Sequence, residues 1–205
     1  FCFASEKKAL KSAGIENAFI RELNPRVLVE YDIEKKTMIE IQREFFSLKK
    51  NKDSEKKIME KTEKLLIDSI KKRISSDNKI GLLFSGGIDS TFIALVLKKL
   101  NVDFICYTAA LNEPGLKNSE DVLWAKKIAK ELSLKLNIIE VSLDEVPKYL
   151  KRILPIIEDN NAIKAGVALP FFISAEQAKK DGVRILFSGL GSEEIFAGYD
   201  RHKKS

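Results

Sequence analysis

Hydrophobic residues in the last 150 positions of this chain fall into short apolar runs separated by longer amphipathic stretches. The runs at 80–84, 104–108, 136–141 and 183–187 have strand length and are rich in Ile, Leu, Val and Phe, the composition of strands buried on both faces. Helical spacing of apolar positions predicts helices over 91–100 and 120–132. Val146, Leu150, Ile153, Leu154 and Ile157 repeat the same spacing; Pro147 suits the first turn of that helix, and Pro155 is expected to end or kink it near the fourth. A further helix over 162–180 carries Pro170 internally and is closed by Asp181 and Gly182. Strands alternating with helices in this way predict an α/β fold, a parallel sheet with helices on both faces.

The first third reads differently. Residues 1–10 read as a strand running into a helix, and 26–32 with 37–42 as a hairpin turned at Glu34, Lys35 and Lys36. The stretch 47–56 is almost wholly polar and precedes a helix with apolar positions at Ile58, Leu65, Leu66, Ile70 and Ile74. The expected organisation is therefore a hairpin remnant of one domain over 1–46, a linker over 47–56 and an α/β domain over 57–205. No internal repeat is visible, and the lysine-rich linker is the one low-complexity stretch.

Composition narrows the classes. The chain is 44% hydrophobic, as folded globular proteins are, and its apolar runs fall short of the roughly 18 residues a membrane-spanning helix needs. No charged-then-apolar leader opens the sequence, so the cytoplasm is the expected location. The net charge of +6 arises from 36 basic residues interleaved with 30 acidic ones, a solvated surface more than a nucleic-acid footprint. Two cysteines, Cys2 and Cys106, and the lone His202 form neither a disulfide framework nor a zinc set, and Cys106 is expected to be a buried, inert thiol.

Chemistry concentrates at Ser85, Gly86, Gly87, Ile88, Asp89 and Ser90, between an apolar run and a helix. A strand feeding a glycine turn that opens a helix makes an anion cradle: the glycines let backbone approach a phosphate, the first helical N–H groups face it, and Ser85 and Ser90 can add hydroxyls. Asp89 is left to hold a magnesium ion. The segment lacks the lysine of the common phosphate loop.

These residues match the signature of the N-type (PP-loop) ATP pyrophosphatases, with their adenine nucleotide alpha hydrolase-like fold. A second segment, Ser188-Gly189-Leu190-Gly191-Ser192-Glu193-Glu194-Ile195-Phe196-Ala197-Gly198-Tyr199, resembles a block of the asparagine synthetase family. The resemblance implies an ATP site formed by Phe84, Ser85, Gly86, Gly87, Asp89 and Ser90 at the β and γ phosphates. It implies Tyr107, Thr108 and Ala109 near adenine, Ser188, Gly189 and Leu190 near the ribose or α phosphate, and Asp89 with Glu193 on Mg2+. The implied reaction is adenylation of a carboxylate, aspartate above all, with release of pyrophosphate, followed by displacement of AMP by ammonia derived from glutamine. For Glu193 and Glu194 a plain role at a helix start capped by Ser192 stays open.

The N-terminal piece resembles the end of a glutaminase (class II amidotransferase) domain, with Asn24 and Pro25 at its turn. The remainder of that domain is then expected on a missing N-terminal part or a separate chain, and the synthetase domain is expected to be truncated at its C-terminus. Three departures from the family pattern stand out. Leu190 occupies a position usually held by Glu and cannot move a proton, 161–164 offers only Lys164 where members carry Thr-Thr-x-Arg, and both family flanks are missing. Two other readings stay open, a nucleotide-binding module without catalysis and another PP-loop enzyme such as a tRNA-modifying one. The thiolating type would need catalytic cysteines that Cys106, inside a strand, does not supply.

Overall fold

The structure, a computed structural model, describes residues 1–44, 51–75, 78–113 and 120–198. The chain divides into two compact units, Phe1–Ile58 and Met59–Ser205. In the first, helix α1 (Lys7–Ser12) and a single 3-10 turn precede an antiparallel hairpin of β1 (Val27–Asp32) and β2 (Thr37–Gln42), with Asp32 opposite Thr37. The Asp32 carboxylate accepts the Lys35 N–H at 2.8 Å, and Lys36 takes a left-handed conformation at φ 54°, which tightens the turn. Residues 1–5 do not form the expected strand. An extended segment becomes a strand only by pairing, and here Phe1 instead stacks on Tyr31 with ring centroids 4.4 Å apart.

The remaining elements are α2 (Glu55–Lys71), β3 (Lys79–Leu83), α3 (Ile88–Lys99), β4 (Phe104–Leu111), α4 (Glu120–Glu131), β5 (Leu136–Val141), α5 (Val146–Ile157), α6 (Ala162–Lys180), β6 (Val183–Phe187) and α7 (Ser192–Phe196). The expected linker contributes its last residues to α2, and its positions 47–50 lie outside the described residues. Strands β3 to β6 form a parallel sheet in the order β5-β4-β3-β6. Right-handed crossovers then dictate the layers. The steps β3 to β4 and β4 to β5 run one way across the sheet and put α3 and α4 on one face; the return from β5 to β6 puts α6 on the other. Side-chain packing agrees. Ala94 and Leu97 of α3 and Ala125 and Ala129 of α4 pack with Ile80, Leu82 and Cys106 on one face, joined by Ile70 of α2. Ala178 of α6 packs with Tyr107 and Val183 on the other.

Leu82 and Leu97 are fully buried, and burying each such side chain contributes about 2 kcal/mol. Gly81 has no room for a side chain, since a Cβ there would sit 2.9 Å from Leu186 and 3.0 Å from the Tyr107 ring. Cys106 is wholly buried in β4, and desolvation pushes its thiol up to about 12. No helix among the described residues is long and apolar enough to cross a membrane.

Candidate functional site

Because the chain leaves β3 toward β4 and later returns to β3's other side as β6, the sheet reverses direction there. Loops leaving the carboxyl ends of two such strands open a crevice. Strands β3 and β6 are hydrogen-bonded neighbours, with Leu82 beside Phe187, so 85–87 and 188–191 must emerge side by side. They touch. A Cβ added at Gly189 would lie 2.8 Å from the Asp89 Cβ, a distance only a glycine permits.

The first loop is shorter than the sequence suggests. Helix α3 begins at Ile88 with Gly87 as its N-cap, so Asp89 and Ser90 occupy the first helical turn, where N–H groups lack intrahelical acceptors. Ser85 Oγ receives the Gly87 N–H and lies 3.3 Å from Ser90 Oγ, which in turn donates to the Gly87 carbonyl. Gly86 adopts φ +75°, and a Cβ there would meet the Trp124 and Ala125 backbone at 2.6–2.7 Å. It is what lets the loop lie flat against α4.

These loops, the end of β4 and one face of α6 enclose a crevice of about 630 Å³. Of the residues singled out from sequence, Phe84, Ser85, Gly87, Asp89, Ser90, Ala109, Ser188, Gly189, Leu190 and Glu193 all line it; Gly86 does not, being turned against α4. Tyr107, Thr108 and Ala109 lie within β4, which runs on to Leu111. Thr108 is buried and its hydroxyl donates to the Phe84 carbonyl, joining the ends of β3 and β4. Ser192 does not cap α7. Gly191, at φ +94°, holds the N-cap position, and the Ser192 hydroxyl donates to the Gly189 carbonyl at 2.9 Å, folding the second loop back on itself.

Electrostatically the crevice is one-sided. Among the described residues its wall carries Asp89, Asp121, Glu193 and Glu194 and no lysine or arginine. Burial, then the neighbouring Glu193 charge, raises the Asp89 carboxyl above its ordinary value. Among the described residues no group of three or more His, Cys, Asp or Glu forms a metal cage, and a hard divalent cation that takes one or two protein carboxylates fills its remaining positions with water or phosphate oxygens. Lys164 is not in the wall; its ammonium donates to Asp159 at the start of α6.

Sequence reasoning missed Asp121, Pro170, Phe171 and Ser174, which also line the crevice. Asp121 had a signal in its position at a helix start after a strand. The α6 residues had none, since nothing in a helical pattern tells which turn faces a site.

Fold and crevice define a doubly wound α/β protein with a crevice at the sheet's switch point. The asparagine synthase family model matches residues 61–205, and the chain belongs to that family. The putative asparagine synthetase (glutamine-hydrolyzing) 1 of Methanocaldococcus jannaschii is 34% identical over 218 aligned residues, covering 100% of this chain and 39% of that protein. The asparagine synthetase (glutamine-hydrolyzing) of Gallus gallus is 29% identical over 141 residues, covering 66% of this chain and 24% of its own length. The chain thus spans two fifths or less of these relatives. Among solved structures, an NH3-dependent NAD synthetase from Campylobacter jejuni overlaps 72% of this chain and 61% of its own, with TM-score 0.46 and 18% identity.

Proposed function

We propose that residues 57–205 are the ATP-using part of an asparagine-synthetase-type enzyme. It transfers AMP from ATP to a carboxylate, aspartate first among candidates, releases pyrophosphate, and yields an amide when ammonia displaces AMP. Residues 1–46 are, on this reading, the end of a glutaminase domain that would supply the ammonia from glutamine. The observation that carries the proposal is the close approach of Gly189 to Asp89, which brings both family segments to one crevice.

The division of labour follows from charge. Backbone N–H groups of the first α3 turn, with Ser85 and Ser90, suit the departing pyrophosphate. Gly189 lets the 188–191 backbone close on the α phosphate or ribose, and β4 past its last pairing with β3, at Thr108 and Ala109, offers its edge to adenine. Magnesium, held by Asp89 and Glu193, would neutralise the phosphate oxygens and polarise the α phosphorus. Without a basic side chain in the described wall, these carboxylates would repel a bare triphosphate, so binding should require the metal.

A binding module without turnover is the second reading. Leu190, 67% exposed at the crevice, favours it, because that side chain can neither donate nor accept a proton. One experiment separates the two: pyrophosphate release from ATP by the 205-residue chain, with and without aspartate and an ammonium salt. Release that depends on aspartate is the expected result. Magnesium-dependent ATP binding without release would favour the module, and failure to bind ATP would overturn both. If Leu190 weakens only the acceptor half, Leu190→Glu should raise amide formation per ATP bound.

A further inference from the structure

On α6, Pro170, Phe171 and Ser174 follow the spacing of one helix face, and all three line the crevice. Ser174 is only 2% exposed. Its hydroxyl makes no hydrogen bond among the described residues and is not sealed off, since Thr91 Oγ1 is the one buried hydroxyl atom left without a partner there. What little surface it has opens to the crevice. The Tyr107 hydroxyl, on the same face of the sheet, is already committed and donates to Asp181 at 2.8 Å. A hydroxyl opening to the crevice with no protein partner is available to a group entering there, which would exchange a water contact for a fixed hydrogen bond.

The surroundings say which part of a ligand that is. On Ser174's own helix face the wall is apolar and aromatic, with Pro170 and Phe171, and Leu83 and Tyr107 add apolar and aromatic surface to the crevice. The four carboxylates come from α3, α4 and α7. Phosphates need N–H groups and cations, neither of which α6 supplies here. A flat, neutral ring with donors and acceptors on its rim suits an apolar slot containing one hydroxyl, which can donate one bond and accept two.

We infer that Ser174 reads the edge of the nucleobase, making the α6 face of the crevice the base subsite. The inference rests on the nucleotide reading above and adds a specificity-determining residue to it.

The test compares Mg2+-dependent binding of ATP and of inorganic tripolyphosphate to the 205-residue chain and its Ser174→Ala variant. Tripolyphosphate carries the anionic part without a base, so it also reports whether the phosphate end of the variant is intact. The expected result is a loss of about 3- to 10-fold in ATP affinity, the worth of one neutral hydrogen bond, with tripolyphosphate affinity unchanged. Unchanged ATP affinity overturns the inference. So does equal weakening of both ligands, which would make Ser174 a structural residue. If the wild-type chain binds tripolyphosphate but not ATP, or neither, the nucleotide reading itself falls and the base subsite with it.

Discussion

Single residues decide the geometry of this crevice because its walls are backbone as much as side chain. Gly86 lies against α4 and Gly189 against Asp89, and in each case a methyl group would overlap what is already there. Cys106 shows the opposite, a reactive group silenced by its place. It is wholly buried in a central strand, and desolvation alone holds its thiol near 12. A raised folded value means that Cys106 contributes its full stability below the ordinary thiol range and loses that contribution as pH climbs toward about 12. In mildly alkaline buffer a thiol reagent should therefore label one equivalent per native chain, the exposed Cys2, and two after denaturation. Two equivalents labelled rapidly in the native state would contradict the burial of β4.

At the scale of elements, α6 shows what sequence can and cannot supply. Its limits, Ala162–Lys180, follow from its pattern: Asn161 caps it by accepting from the N–H groups of Ile163 and Lys164, and Gly182 ends it at φ +78°. Ahead of the cap, Asp159 accepts from the Asn161 N–H at 2.9 Å and from the Lys164 ammonium. Lys164 first, then the Asn161 N–H, hold its carboxyl below the ordinary range. The sign is that of a depressed acid: its contribution is present above the ordinary carboxyl range and is lost as pH falls through the lowered value. An NMR titration should find the Asp159 midpoint below that of an exposed aspartate, and Lys164→Ala should move it upward. An unmoved midpoint would contradict the pairing of Lys164 with Asp159.

Other boundaries were not legible. Ala109 and Ala110 are weak strand formers, yet β4 includes them because Ile139 and Glu140 of β5 lie opposite. Helix α3 starts three residues before its apolar pattern, since the first turn is fixed by the glycine loop and not by burial. The opening residues read as a strand only because nothing in a local pattern shows whether a partner exists.

For the whole molecule, the four-stranded parallel sheet was legible from the alternation of apolar runs with helical periods. The crevice was legible as two glycine-bearing segments at strand ends, because strand adjacency converts distant sequence into neighbouring loops. Its α6 side was not, since burial of Ser174 depends on how a helix rotates against the sheet. Family membership and the shared crevice together support adenylation chemistry, while the chain spans only part of its relatives. The central claim, that the two loops grip one nucleotide, meets its most direct test in equilibrium binding of ATP, with and without Mg2+, to the wild-type chain and to Gly189→Ala. The added methyl, 2.8 Å from the Asp89 Cβ, must part the loops. The expected result is metal-dependent binding by the wild type and a loss of roughly tenfold or more in the variant at unchanged helix content; a variant that binds ATP as tightly as the wild type would contradict it.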